Sequence, residues 1–249
     1  MLRVHGISFS YGNKDVLRDI GFKLEKGELI SVLGVNGSGK TTLLKVMGGL
    51  LKPKHGCVLL GERRLSEMTG NDIARNIGYM PQTSAGVLCT VFDAVLLGRK
   101  PHIGWEASAH DIAVAERVLK LLRMERYALK LTTELSGGEL QKVIIARALA
   151  QEPSVLLLDE PINHLDIRNQ LETMSLLREI TRELGLITVT VLHDLSAALR
   201  FSDRFIMMKD GTVFACGGRE VVTPESIKAV YRIDAAIHEL GGVPVVVPR

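Results

Sequence analysis

The 249 residues suffice for one large domain or two small ones, with a core that needs no covalent staples. With 46% hydrophobic and 24% charged residues, the chain has the composition of a folded globular protein, which excludes disorder as its main state. Lys plus Arg exceeds Asp plus Glu by only 31 to 28, a net charge of +3 too small and too dispersed to argue for a nucleic-acid or anionic-membrane surface, so no nucleic-acid partner is expected.

In chain order, the N-terminus runs directly into strand-like sequence with no basic segment followed by an apolar core, so a cytoplasmic protein is expected. Strands are predicted over Leu2–Phe9, Ile20–Leu24 and Leu29–Leu33, punctuated by Gly12, Asn13, Lys26 and Gly27. The third runs into Gly34 and a glycine-rich turn, after which Leu43, Leu44, Met47 and Leu50 give a helical spacing over Lys40–Leu50. The least polar long stretch, Asn76 to Phe92, is broken by Pro81, Gln82 and several hydroxyls, and no membrane span is predicted. Three widely spaced cysteines, Cys57, Cys89 and Cys216, suit neither a disulfide framework nor a metal knuckle and read as small buried apolar residues.

From Thr90 to about Ala150 the texture turns helical, with Ser108 and Asp111 in a capping-box pattern and Ser136 opening a second amphipathic run. Val155–Leu158 is a short apolar run ending in acids, the pattern of a parallel strand buried on both faces. Asp166 caps a helix that Gly185 ends, and Ile187–Leu192 is a further β-branched strand. A hairpin is predicted at Asp210-Gly211, a short helix with Pro224 at its first position, and a last hairpin at Gly241-Gly242. Alternating strands and helices around a helical insertion place the chain in the α/β class.

Gly34-Val35-Asn36-Gly37-Ser38-Gly39-Lys40-Thr41 satisfies the phosphate-loop spacing between a predicted strand and a predicted helix. The glycines let successive N–H groups turn inward around a phosphate, the helix start adds its positive dipole end, and Lys40 adds a full charge. Thr41 offers a hydroxyl to magnesium. Asp159 and Glu160 stand where a buried strand emerges, the edge at which open α/β sheets bind ligands. Alternation along the strand predicts opposite sides for them, Asp159 toward magnesium and Glu160 free to orient or deprotonate a water. Leu135-Ser136-Gly137-Gly138-Glu139-Leu140-Gln141 is a second capped, glycine-opened helix start, readable either as an anion-binding device or simply as a well-capped helix.

In this order, these segments resemble the ATP-binding-cassette (ABC) ATPases, the nucleotide-binding subunits of ABC transporters, along nearly the whole chain. The resemblance implies a P-loop NTPase (RecA-like) core with an antiparallel β subdomain and a helical insertion subdomain. It implies a single domain over 1–249, with core and β subdomain at about 1–86 and 150–249 and the helical part at about 87–149. ATP and Mg2+ are the implied cofactors, and a head-to-tail homodimer the implied assembly. ATP-binding positions carried over are Tyr11 (stacking on the base), Gly34, Asn36, Gly37, Ser38, Gly39, Lys40, Thr41 and Thr42, with Ser136, Gly137, Gly138 and Glu139 acting from the other subunit. Glu160, His193 and Gln82 are the implied catalytic residues, Thr41, Gln82 and Asp159 the metal positions, and Asp166 the link between sites. The chain departs from the family at Val35, where proline is frequent, and at Ile162, where threonine is usual; neither supplies a side-chain ligand, and activity is expected to survive both.

Lys40 to Asp159 lacks the sustained heptads of DNA-repair relatives, a single cassette argues against the ribosome-acting ones, and Leu129–Glu134 does not resemble the exporter segment. Thr90–His102 and the valine-rich ending Val243–Pro248 instead resemble importers of iron–siderophore, haem, vitamin B12 and related metal chelates, with molybdate-like cargo in the same range. That resemblance implies a peripheral subunit on the cytoplasmic face of the membrane. A permease would dock near residues 86–105, and a substrate-binding protein would act on that permease. The alternative is a soluble ABC ATPase that regulates or scaffolds a protein partner; a small-molecule kinase sharing only the phosphate loop leaves the Ser136 segment without work.

Overall fold

A computed structural model describes residues 1–82 and 88–249. Its centre is a six-stranded sheet in the order β10-β9-β3-β8-β7-β6. The strands are β3 (Leu29–Leu33), β6 (Ile77–Met80), β7 (Val155–Asp159), β8 (Ile187–Val191), β9 (Arg204–Lys209) and β10 (Thr212–Gly217). All neighbours are parallel except β10, which turns back on β9. A second, antiparallel sheet has the order β2-β1-β4-β5, from β1 (Leu2–Tyr11), β2 (Lys14–Leu24), β4 (His55–Leu60) and β5 (Arg63–Arg64). The chain ends in the hairpin of β11 (Ala235–Leu240) and β12 (Val243–Pro248).

Alternation through the central sheet divides the interior into two cores. Ile30, Val32, Val155, Leu157, Ile206 and Met208 face α1 (Lys40–Met47) and the antiparallel sheet. Leu29, Leu33, Leu156, Leu158, Phe205 and Met207 face the other way. There they meet α5 (Gly137–Leu149), α6 (Ile167–Glu183), α7 (Leu195–Phe201) and α8 (Pro224–Tyr231). Each fully buried Leu or Ile contributes roughly 1.5–3 kcal/mol, so both faces of β3 and β7 are strongly held. The α/β reading and its parallel sheet are thus borne out.

Between β6 and β7 lie α3 (Val91–Leu96), α4 (Ala109–Leu121) and α5, joined through Val91, Val95, Val118, Leu119 and Val143. Ser108 and Asp111 do form a reciprocal capping box on α4. Asp111 is also bound by Arg99, which is buried and donates from Nε to the carboxylate at 3.0 Å and from Nη1 to the Ala150 carbonyl at 2.8 Å. The Ser108 cap first, and Arg99 with it, hold the Asp111 carboxyl at about 2. Arg99→Ala leaves that carboxylate buried without its cation, so we expect thermal or urea unfolding to show a loss of about 3–5 kcal/mol.

Three local readings are corrected. The helix begun at Lys40 ends at Met47, because Gly48 and Gly49 turn the chain and leave Leu50 exposed. The cysteines are half-buried rather than buried. The side chains of Asp159 and Glu160 are separated by a turn and not by strand alternation, since β7 stops at Asp159 and Glu160 takes a left-handed φ of 57°.

Candidate functional site

Four parallel strands finish on one edge of the central sheet, and each hands the chain to a polar segment. After β3 comes Gly34, after β6 Gln82, after β7 Glu160 and after β8 His193. This edge borders a cavity of about 930 Å³, lined by Tyr11, Asn36, Lys40, Thr41, Gln82, Glu160 and His193, among others.

Two glycines of the first loop are required, Gly34 by close packing on backbone and Gly39 mainly by its φ. A Cβ on Gly34 would sit 2.4 Å from the Met208 carbonyl oxygen, and one on Gly39 would sit 2.9 Å from Leu17 Cδ2. Both also have positive φ, 150° and 101°, where side chains are strained. Lys40 is buried and donates from Nζ to the carbonyls of Gly34 at 2.8 Å and Val35 at 3.0 Å. An ammonium has three protons, so one is left to face the cavity. Burial lowers the Lys40 pKa, opposed by the charges of Glu160 and Asp159. The Ser38 hydroxyl is buried with no hydrogen-bond partner among the described residues.

Thr41 Oγ1 donates to Asp159 Oδ1 at 3.1 Å, while Asp159 Oδ2 is buried without a partner. Burial pushes the Asp159 carboxyl up, the Thr41 hydrogen bond opposes it, and Glu160 adds to it. A hydroxyl and an orphaned carboxylate oxygen side by side fit a magnesium ion, which takes one or two protein oxygens and completes its shell with water and phosphate. Among the described residues no group of three or more His, Cys, Asp or Glu is arranged to hold a metal by itself.

Glu160 is gripped by three donors. Gln82 Nε2 reaches its Oε2 at 2.9 Å, Asn163 Nδ2 binds the same oxygen, and His193 Nε2 lies 2.6 Å from Oε1. The left-handed backbone at Glu160 turns its side chain out of the sheet and into this cluster. Tyr11 is half exposed at the rim, its ring edge-on to Phe9 with centroids 4.9 Å apart. The Asp210-Gly211 turn and Lys14–Val16 complete the wall near Tyr11.

Ser136, Gly137, Gly138 and Glu139 do not line this cavity, and neither does Asp166. Ser136 accepts from the Glu139 N–H, and the Glu139 carboxylate accepts from the Ser136 N–H at 2.9 Å and hydroxyl at 2.8 Å. The Tyr127 hydroxyl and then this cap hold the Glu139 carboxyl at about 2. Gly138 packs on α6, where its added Cβ would lie 2.8 Å from Asn169 Cγ. Asn169 in turn donates from its backbone and side chain to Asp166, the cap of α6. The two segments are therefore neighbours, away from the Lys40 cavity of the same chain. The departing positions carry no polar side chain: Ile162 is buried in the core, and Val35 acts through its carbonyl. Asn163 and His164 also face the cavity, and nothing in the local sequence pattern marks them.

The ABC transporter family profile matches residues 17–163. An uncharacterised ABC transporter ATP-binding protein of Methanocaldococcus jannaschii is 54% identical over 100% of this chain and 98% of its own length. The iron(3+)-hydroxamate import ATP-binding protein FhuC of Bacillus subtilis is 37% identical over 95% of this chain and 89% of its own. Among solved structures, a chain from an inward-facing ABC transporter assigned to the metal-chelate type superposes with a TM-score of 0.87 at 29% identity, covering 100% of this chain and 97% of that one. A dimeric ATP-binding cassette in a post-hydrolysis state, bound to ADP and phosphate, gives a TM-score of 0.76 at 30% identity over 88% of this chain and 98% of that one.

Proposed function

This chain belongs to the ABC transporter family as an ATP-binding, ATP-hydrolysing subunit, and from that premise we propose that two copies close around two ATP molecules to energise uptake of a metal chelate through a separate permease. The observation that carries the reading is the convergence of the Gly34 loop, Gln82, Glu160 and His193 on one sheet edge around one cavity.

In this proposal the loop N–H groups and the third proton of Lys40 bind the β- and γ-phosphates, and Tyr11 stacks on the base. Thr41, Asp159 and Gln82 would hold magnesium, whose chemistry when bound is to neutralise developing phosphate charge. Glu160 accepts a proton from the attacking water, with Gln82 and His193 orienting it. The Ser136 helix start acts from the partner copy, which agrees with its position away from the cavity in its own chain.

The permease contact is proposed for residues 86–105, of which 86 and 87 lie outside the described residues. A groove of about 730 Å³ supports it, lined by Asn71, Cys89, Asp93, Leu96, Leu97, Lys100, Ile103 and Gly104. Its mixed apolar and charged lining suits a short helix from a membrane subunit, which also brings this chain to the membrane face. No helix among the described residues is long and apolar enough to cross a membrane itself. We group the helices of about 87–149 as the unit that carries this surface. The adjoining Trp105, the sole tryptophan, is fully exposed. Its emission is expected to shift to the blue when the permease binds in detergent or nanodiscs; an unshifted, equally quenchable Trp105 in a complex of proven stoichiometry contradicts the docking site.

Metal-chelate cargo rests on the iron(3+)-hydroxamate import relative and the metal-chelate type transporter. Proteoliposomes of the permease with this chain, supplied with a substrate-binding protein, should accumulate a ferric hydroxamate or another metal chelate in an ATP-dependent manner. Transport of only an unchelated cargo would contradict the assignment.

A further inference from the structure

Beyond the carried-over motifs, the phosphate loop is held from the far end of the chain. Tyr231, the last residue of α8, places its hydroxyl 2.8 Å from the backbone nitrogen of Gly34, which donates to it. The two residues are 197 apart in sequence, and Tyr231 does not line the cavity. Its position is fixed by buried Ile227 and Val230 of the same helix, and its own side chain packs against the same core. Burial also pushes its hydroxyl up to about 12, so it stays protonated across any ordinary working range.

Gly34 is the point where β3 becomes the loop, and it is constrained on each side. Its N–H is taken by Tyr231, its carbonyl by Lys40 Nζ at 2.8 Å, and the Met208 carbonyl leaves no room there for a Cβ. Tilting this residue moves a carbonyl that aims the lysine. We propose that Tyr231 is a positioning residue for ATP binding, fixing Gly34 so that Lys40 is presented to the phosphates. The C-terminal unit touches a second loop of the site as well. The Val246 N–H donates to Ser196 Oγ at 3.0 Å, and Ser196 lies in the first turn of α7, whose cap Asp194 follows His193.

This inference rests on ATP occupying the Lys40 cavity, and the test separates the two. In Tyr231→Phe the ring and its packing remain while the Gly34 N–H loses its acceptor. One neutral hydrogen bond is worth about 0.5–1.5 kcal/mol, which converts to a rise of roughly two- to tenfold in KM for ATP and in the equilibrium Kd for a fluorescent ATP analogue, with kcat within about twofold. A merely destabilised protein shows the opposite split, a lower kcat from fewer active molecules at unchanged KM. In a Lys40→Ala background the affinity loss from Tyr231→Phe should shrink, because both act through Gly34. Unchanged KM in Tyr231→Phe, or an undiminished further loss of analogue affinity when Lys40→Ala is present, overturns the proposal. A wild-type chain that binds no ATP overturns the nucleotide reading itself and this inference with it.

Discussion

Glu160→Gln is expected to abolish ATP turnover while leaving ATP bound and the closed dimer longer-lived. The carboxylate sits among three donors, Gln82 Nε2, Asn163 Nδ2 and His193 Nε2, the last at 2.6 Å. Such a cluster keeps an anion in one orientation at the cavity wall, where it can take a proton from water. Glutamine preserves the shape but cannot accept that proton, and its amide nitrogen must face one of the donors. Loss of a positioned general base lowers rates by roughly 10²–10⁴-fold, and none of the residues proposed to bind phosphate is altered. Phosphate release, nucleotide binding at equilibrium and light scattering of the dimer read the three parts separately. Turnover at the wild-type rate would refute the role given to Glu160.

Lys40→Ala should act one step earlier, on binding. Its ammonium is buried, is fixed by the carbonyls of Gly34 and Val35, and has one proton to spare for phosphate. Hydrogen bonds to charged groups are worth about 1.5–3 kcal/mol, so ATP affinity should fall roughly 10- to 100-fold, as titration calorimetry would record. Burial lowers the Lys40 pKa while Glu160 and Asp159 oppose it, so affinity for ATP should decline on the alkaline side before an exposed lysine would lose its proton. Wild-type affinity in Lys40→Ala would mean that the phosphates lie elsewhere. The two variants thus separate binding from turnover within one cavity.

The sequence was most legible where one local pattern had only one physical use. Glycines at positive φ beside Lys40, the Ser108 box and the apolar run of β7 that ends in Asp159 each declare themselves within a few residues. Elements without such a pattern leave no local signal in the sequence. The helix Gly70–Asn76, α2, buries none of its residues and so has no apolar stripe to detect, although Thr69 and Asp72 cap it. The short α7 was hidden behind the motif that precedes it, and β4 holds only one fully buried residue. In the site, the acidic strand end pointed to Glu160 and the family resemblance to Gln82 and His193, but not to their mutual contact, because that contact depends on three strands, β6, β7 and β8, ending at a common edge. Asn163 and Tyr231 escaped for the same reason: each acts on a neighbour that only the fold supplies.

In the proposed assembly each nucleotide is held by the Lys40 loop of one copy and the Ser136 helix start of the other. A crystal structure of Glu160→Gln grown with Mg2+ and ATP tests it most directly. The expected result is two-fold pairs in which both triphosphates lie between a Lys40 loop and the opposing Ser136 turn. Single copies with ATP bound, or pairs whose Ser136 turns point away from the triphosphates, would contradict it.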